Sequence, residues 1–215
     1  MGFLKKFTKQ EISWMMYDWA NSAHSVIVVT ILPIFFDSVA SCTADSVSSM
    51  STWGYATSIA MAIVALAAPF LGVFGDIRGM RKKLFTAFLL LGVVSVAGLA
   101  FTPLMDFTSS TAAAGKVAML VLVLYILSTI GFDASCIYYD AFLTDVTTED
   151  RMDSVSTLGY GLGYIGGSTI PLLIFLIMNA VGVPMLTSLA IIFAITAVWW
   201  LVFSLPLLKN CEQTT

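Results

Sequence analysis

Residues 12–36 read ISWMMYDWANSAHSVIVVTILPIFF, and this segment decides the class of fold. It is long enough to cross a bilayer as a helix, which takes about 20 predominantly apolar residues. Its first half nevertheless holds a carboxylate, an amide, several hydroxyls and the only histidine of the chain. An ionisable group inside a membrane costs free energy unless it faces water or a partner, so such groups usually serve a function.

The composition of the whole chain indicates a membrane protein. Of its 215 residues, 59% are hydrophobic and 11% are charged, whereas soluble domains carry about 25% charged residues. Five further apolar segments resemble the first in length, and none alternates as a barrel strand would. We therefore predict an all-α integral membrane protein with six transmembrane helices, at residues 12–36, 52–74, 84–103, 117–142, 155–178 and 185–208.

The basic residues predict how these helices are oriented. Nine of the ten fall before the first helix, after the sixth, or in the loops after the second and fourth, and Lys116 alone falls on the other side. Lysine and arginine concentrate in short cytoplasmic loops. We therefore expect both tails, residues 1–11 and 209–215, in the cytoplasm, and the protein in the plasma membrane or bacterial inner membrane.

Two of the predicted helices carry polar side chains that recur at helical spacing. They are Asp18, Asn21, Ser22, His24 and Ser25 in the first helix, and Thr129, Asp133 and Asp140 in the fourth. These stripes are too wide to face lipid, so we predict that they line a pathway for substrate or protons. Two alternatives remain: the amide and hydroxyls could only join helices, and Asp140 could be a solvated helix-end carboxylate.

The loop between the second and third helices has the most specific short pattern. Residues 72–83 read GVFGDIRGMRKK, which is similar to the signature of the major facilitator superfamily, G-x-x-x-D-x-x-G followed by basic residues. The matching positions are Gly72, Asp76 and Gly79, with Arg81 and Lys82 as the basic residues. The resemblance implies that Asp76 meets a helix N-terminus in the opposite half and closes a cytoplasmic gate. A loop that only fixed topology would explain the basic residues but not Asp76 with both glycines.

We predict structural roles for the last two helices. Gly159, Gly163 and Gly167 recur every four residues, the spacing that lets helix backbones approach closely. A phosphate-binding loop is excluded here, because the glycines lie in an apolar span with no preceding strand and no basic anchor. We expect the sixth helix to face lipid, with Trp199 and Trp200 as interface anchors.

Five blocks in the same order resemble one branch of the major facilitator superfamily. They are YDWANSA at 17–23, WGYA at 53–56, GDIRG at 75–79, the segment 131–143 and LGYGLGYIGG at 158–167. The branch includes the autophagy-related vacuolar amino-acid effluxers and their prokaryotic relatives. The resemblance implies alternating access with amino acids or similar small polar solutes as substrates. His24, Asp133 and Asp140 depart from the residues expected of the family, and all three fall on the candidate cavity faces.

The resemblance also implies two six-helix halves, each built of inverted repeats of three helices, and this chain provides one half. The first hypothesis is a homodimer, in which Asp76 of each copy meets the fifth helix of the other near Ser154. The alternative is a heterodimer with a separately encoded half. His24 and Asp133 are the candidates for proton coupling, since a histidine titrates near neutrality and a buried carboxylate holds its proton more tightly.

Other classes of protein fit the sequence less well. A non-transporting scaffold would need no polar stripes, and a channel would need no gate motif. The only histidine lacks metal-ligand spacing to cysteine and no nucleophile–base pair is visible, so we expect no enzyme, no metal and no cofactor. The expected partners are membrane lipid, a small-molecule substrate and a second half, with no nucleic acid.

Overall fold

The computed structural model of the protein describes residues 6–43 and 46–214. Residues 1–5 of the predicted N-terminal tail lie outside this range, as do residues 44, 45 and 215. The described chain is helical and contains no strand. Its helices are α1 (Lys9–Thr30), α2 (Leu32–Ala40), α3 (Ser46–Asp76), α4 (Arg81–Leu99), α5 (Thr111–Val146), α6 (Glu149–Leu162), α7 (Thr169–Ala180) and α8 (Met185–Asn210).

Six helical segments of the described chain are long and apolar enough to cross a membrane. They are Lys9–Ala40, Ser49–Asp76, Arg81–Leu104, Thr111–Val146, Glu149–Ala180 and Met185–Asn210. The predicted fold class, an all-α membrane protein with six transmembrane helices, is confirmed. The helices extend beyond the predicted apolar segments, because backbone hydrogen bonding continues into polar flanks that hydropathy leaves out.

The first span begins at a capping box and continues through a proline. The Thr8 hydroxyl accepts a hydrogen bond from the Glu11 amide at 3.1 Å, and the Glu11 carboxylate accepts one from the Thr8 amide at 2.7 Å. At the other end of α1, the Ile31 amide donates to the Ile27 carbonyl at 3.0 Å. Pro33 then occupies the first turn of α2, where its missing N–H is not needed.

Two apolar clusters hold the bundle together. One surrounds Phe35, Val121 and Phe193, where α2, α5 and α8 meet. The other surrounds Trp14 and Phe142, where α1 and α5 pack against α4 and α8. In the same clusters α1 contacts α5, α6 and α8. Asp18, Asn21 and His24 of the α1 polar stripe are therefore buried in the bundle, whereas Ser25 is exposed.

The fifth span is interrupted by a π-helical segment, Gly163–Ser168, between α6 and α7. Such segments are rare and occur frequently at functional sites. This segment packs directly on α1. A Cβ on Gly167 would lie 2.4 Å from the Trp19 carbonyl oxygen, and one on Gly159 would lie 3.0 Å from the Trp14 ring. At Gly159 and Gly167 the fifth span thus lies close to α1, and the role of these glycines in helix packing stays a prediction.

The expectation that the sixth span faces lipid is wrong at Trp200. This side chain is fully buried, and a Cβ on Gly92 of α4 would lie 2.3 Å from its ring. Trp199 is half-buried, and its indole N–H donates to the Trp19 carbonyl at 3.1 Å. Hydropathy could not distinguish these positions from lipid-facing ones, because a glycine on a distant helix makes the space for the ring.

Candidate functional site

A polar cavity of about 220 Å³ opens between α1, α5, α6 and the π-helical segment. We call it the polar cavity. α1 contributes Asp18, Asn21, Ser22 and Ser25, α5 contributes Phe132, Cys136, Tyr139 and Asp140, and the fifth span contributes Tyr160, Tyr164 and Ser168. Five of the eight predicted pathway residues therefore line one space, from two helices far apart in sequence.

Hydrogen bonds between α1 and α5 fix one wall of the polar cavity. The Tyr17 and Ser135 hydroxyls lie 2.7 Å apart, and the Trp14 indole N–H donates to the Tyr139 carbonyl at 2.9 Å. The Trp14 and Tyr139 rings stack with their centroids 4.3 Å apart. These contacts are buried, so the helix faces that carry the lining residues keep their relative position.

The fifth span approaches the acidic side of the cavity through Gly163. A Cβ at this position would lie 2.6 Å from Asp18 Oδ2 and 2.7 Å from Ser22 Oγ. Any larger residue would therefore displace the carboxylate or the hydroxyl. The Ser168 hydroxyl donates to the Ser22 carbonyl at 3.3 Å, which connects the end of the π-helical segment to α1.

Asp18 and Asp140 are the two carboxylates of the lining, and they differ in exposure. Asp18 is 8% exposed, whereas Asp140 is exposed and accepts a 3.4 Å hydrogen bond from the Tyr160 hydroxyl. Asn21 is buried, and its amide donates to Cys136 Sγ at 3.8 Å. The lining contains no Lys, Arg or His, so its formal charge is purely negative.

Three predicted pathway residues do not line the polar cavity: His24, Thr129 and Asp133. The His24 ring is 3% exposed and stacks on Phe132 with centroids 4.8 Å apart. Neither of its ring nitrogens has a hydrogen-bond partner within the described chain. Asp133 is half-buried, and its Oδ2 is buried without a partner among the same residues.

Tyr139 and Tyr160 are lining residues that the sequence reasoning missed. Tyr139 is 1% exposed, and its hydroxyl has no hydrogen-bond partner in the part of the chain that the structure describes. Tyrosines in an apolar segment resemble ordinary core residues, so helical spacing alone did not select them. The available signal was position, since Tyr139 directly precedes Asp140 and lies three residues after Cys136.

The predicted gate motif forms a second polar region, which we call the gate cluster: Asp76, Gly79, Arg81, Asp145 and Gln213. The Arg81 guanidinium is 6% exposed and pairs with the fully buried Asp145 carboxylate. It also donates to the Ala141 carbonyl at 3.1 Å. Asp76 is 3.6 Å from the same guanidinium but 80% exposed, so its carboxylate is accessible to a partner outside this chain.

The two glycines of the gate motif differ in what they do. Gly79 has φ +78°, a left-handed conformation that favours glycine, and it turns the chain between α3 and α4. A Cβ on Gly72 would meet nothing within 4 Å in the described chain. Lys82 and Lys83 line an open cavity of about 570 Å³ outside the helix bundle, beside Gln213.

The C-terminal residues dock onto the rest of the gate cluster, a contact that no sequence pattern predicted. Gln213 Oε1 accepts from the Gly79 amide at 2.9 Å, and its Nε2 donates to the Gly75 carbonyl at 3.1 Å. The amide and hydroxyl of Thr214 donate to Asp145 Oδ1 at 2.9 and 2.8 Å. Cys211, just before these residues, is buried in the apolar cluster around Trp14 and Phe142, and this burial raises the pKa of its thiol to about 12.

A further ion pair, between the half-exposed Arg151 and the buried Glu11, joins the start of α6 to the start of α1. Arg151 Nη2 lies 2.8 Å from Glu11 Oε2, and Arg151 Nε donates to Glu11 Oε1 at 2.9 Å. The Thr147 hydroxyl donates to the same oxygen at 2.7 Å. Among residues 6–43 and 46–214, no group of three or more His, Cys, Asp or Glu side chains could hold a metal ion.

Comparison with known proteins places the chain in a family. The family described as "Vacuole effluxer Atg22 like" matches residues 7–152 and 144–213. A Bacillus subtilis (strain 168) protein called "Uncharacterized MFS-type transporter YxiO" is 42% identical over 98% of this chain and 48% of its own length. The chain thus spans about half the length of the curated relative it matches. No solved structure matches it.

Proposed function

The chain belongs to the family of vacuole effluxer Atg22-like proteins within the MFS-type transporters, and on that premise we propose that it forms one half of a secondary transporter for small polar solutes. The polar cavity carries this proposal. Its lining brings two carboxylates, an amide and three serine hydroxyls together inside an apolar helix bundle. Such groups inside a membrane characterise substrate and ion pathways.

We propose that the cavity is completed by a second six-helix half, either a second copy of this chain or a different half. Two features support this. Tyr164 lines the cavity yet is 76% exposed, and Asp140 is exposed beside it. Polar groups on an exposed side of a membrane-spanning bundle need water or another protein surface rather than lipid. Alternating access then corresponds to rocking of the two halves about the cavity, with the accessible Asp76 as a contact at the gate.

The proposed substrates are amino acids or similar small polar solutes, as the family resemblance implies. The test is counterflow into proteoliposomes that contain the reconstituted protein and a panel of amino acids, peptides and inorganic cations. We expect uptake of at least one amino acid, and a fall of about tenfold or more in Asp18→Asn, because a lost hydrogen bond to a charged group costs about 1.5–3 kcal/mol. The Asp153→Asn variant, at an exposed position of α6, is the matched control. If no solute moves, the transporter proposal is wrong.

Proton coupling is the second part of the proposal, with His24 and Asp133 as candidates beside Asp18. His24 and the Oδ2 of Asp133 lack partners among the described residues, so neither is committed to a hydrogen bond or ion pair there. Proton uptake during substrate counterflow distinguishes the candidates. Uptake that stays unchanged in His24→Ala and Asp133→Asn would rule out both.

The nature of the second half is tested by crosslinking of the purified single-gene product. A homodimer predicts a crosslinked species of twice the chain mass in detergent and in liposomes. Its absence, together with transport that needs a co-expressed second gene, would favour the heterodimer. A non-transporting scaffold subunit is the remaining alternative. It predicts no transport, and stable assembly with a partner that Asp18→Asn leaves unchanged.

A further inference from the structure

The charges of the polar cavity are all of one sign, and its lining residues supply no counter-ion. Asp18 and Asp140 provide the two carboxylates, and the lining has no basic residue. The buried Arg81 is engaged with Asp145, and the half-exposed Arg151 is engaged with Glu11. No basic residue of the lining therefore neutralises the two carboxylates, and the group that does so is a proton, the solute or a residue of another chain.

Tyr139 lines the same cavity, and its buried hydroxyl lacks a partner in the described chain. Tyr139 is 1% exposed, and its hydroxyl forms no hydrogen bond within residues 6–43 and 46–214. Its ring is fixed by stacking on Trp14, and its backbone carbonyl accepts the Trp14 indole N–H. A polar atom held rigidly without a partner costs free energy, and a bound ligand that supplies the partner recovers it.

The lining favours an organic ammonium group over a metal ion. Four aromatic rings, those of Phe132, Tyr139, Tyr160 and Tyr164, surround the carboxylates. Aromatic faces and carboxylates both attract an ammonium cation. A hard metal ion would instead need six or more oxygen ligands, and no group of three or more acidic, His or Cys side chains in the described chain could hold a metal ion.

We propose that the polar cavity binds the ammonium group of its solute between Asp18 and Asp140, with the Tyr139 hydroxyl as a further polar contact. This inference rests on the proposed transport function and makes it more specific. The solute's carboxylate, if it has one, meets no cation among the lining residues, so we expect the second half to bind it. Because Gly163 has no side chain, the Asp18 carboxylate can lie directly beside it.

The test compares three probes of similar shape and different charge: valine, isobutylamine and isovalerate. Binding is measured as a shift in the thermal unfolding of the detergent-solubilised full protein, which needs no transport, and as competition in counterflow. We expect isobutylamine and valine to stabilise the protein and to compete, and isovalerate to do neither. Transport of valine with no effect of isobutylamine would overturn the ammonium site while leaving the transporter proposal intact.

Variants separate the ammonium site from a general loss of folding. Asp18→Asn and Asp140→Asn keep the shape of the side chain, and each should weaken isobutylamine binding about tenfold or more, since the charge-assisted contact is lost. Tyr139→Phe should weaken it less, because a neutral hydroxyl is a weaker partner than a carboxylate. Asp153→Asn, outside the cavity, should bind as the parent does. Equal binding of isovalerate, sodium ion and isobutylamine, or unchanged amine binding in both Asp variants, would overturn the proposal.

Discussion

The polar cavity and the gate cluster both bury charged groups, but they satisfy them in opposite ways. In the gate cluster, Arg81 meets the buried Asp145 carboxylate and a backbone carbonyl, so opposite charges are paired within the chain. In the polar cavity, Asp18 and Asp140 carry the same sign, and the Tyr139 hydroxyl has no partner in the described chain. Paired groups stabilise a fold, whereas groups left without internal partners are available to a ligand.

The comparison predicts that the gate cluster contributes most to stability. Arg81→Ala removes one partner of a buried ion pair and leaves Asp145 uncompensated, which should lower the free energy of unfolding by about 3–5 kcal/mol. Thermal unfolding in detergent measures this. Arg78→Ala, at an exposed position of the same loop, should change stability by about 0.5 kcal/mol or less. If the two variants were equally stable, the Arg81–Asp145 pair would contribute nothing measurable to stability. The proposed contrast between the gate cluster and the polar cavity would then be wrong.

The lining of the polar cavity contains no basic residue and therefore no ion pair. We expect the stability of this region to depend mainly on how closely its walls pack. A Cβ in Gly163→Ala would lie 2.6 Å from Asp18 Oδ2, so we expect a loss of about 1–3 kcal/mol from overpacking together with loss of solute binding. The matched control is Gly161→Ala, where a Cβ meets nothing within 4 Å and helix propensity improves. Parallel unfolding and binding measurements distinguish them, and equal behaviour would contradict the close approach of the fifth span to α1.

The two glycines of the gate motif allow a second comparison, because Gly72 lies in α3 whereas Gly79 lies in the turn that follows it. Gly79→Ala forces a side chain into a left-handed conformation, which costs about 1–2 kcal/mol. Gly72→Ala meets open space in a helix and should be neutral or stabilising by up to about 1 kcal/mol. Unfolding curves of the two variants test this. A larger loss in Gly72→Ala would show that Gly72 contacts a partner that this chain does not contain.

The docked tail should give the smallest effect. Gln213→Ala removes hydrogen bonds to Gly75 and Gly79, each contributing about 0.5–1.5 kcal/mol, and should undock the tail more often. Labelling of a variant that keeps only Cys211 reports this, because a buried thiol of pKa about 12 is almost entirely protonated and unreactive at neutral pH. We expect slow labelling that Gln213→Ala accelerates.

A variant that keeps only Cys42 is the control for this measurement, because Cys42 is exposed. It should label quickly with or without the Gln213→Ala change. Fast labelling of Cys211 in the parent protein would mean that the tail does not cover it.

The sequence by itself determined the class of fold and the chemistry of the two polar regions. Six apolar segments of bilayer length allow little besides a helical membrane protein, since a backbone in lipid must satisfy its own hydrogen bonds. Helical spacing placed Asp18, Ser22 and Ser25 on one face, and all three line the polar cavity. Gly79, a matching position of the gate motif, has a positive φ.

Only the tertiary structure decided which faces meet. His24 shares a stripe with Asn21 by spacing, yet it packs between Phe132 and Trp200 rather than in the polar cavity. Arg81 pairs with Asp145, 64 residues away, and Gly92 makes room for the Trp200 ring. The physical reason is that periodicity fixes the direction of a side chain from its own helix axis, whereas the neighbour that covers it depends on packing between distant segments.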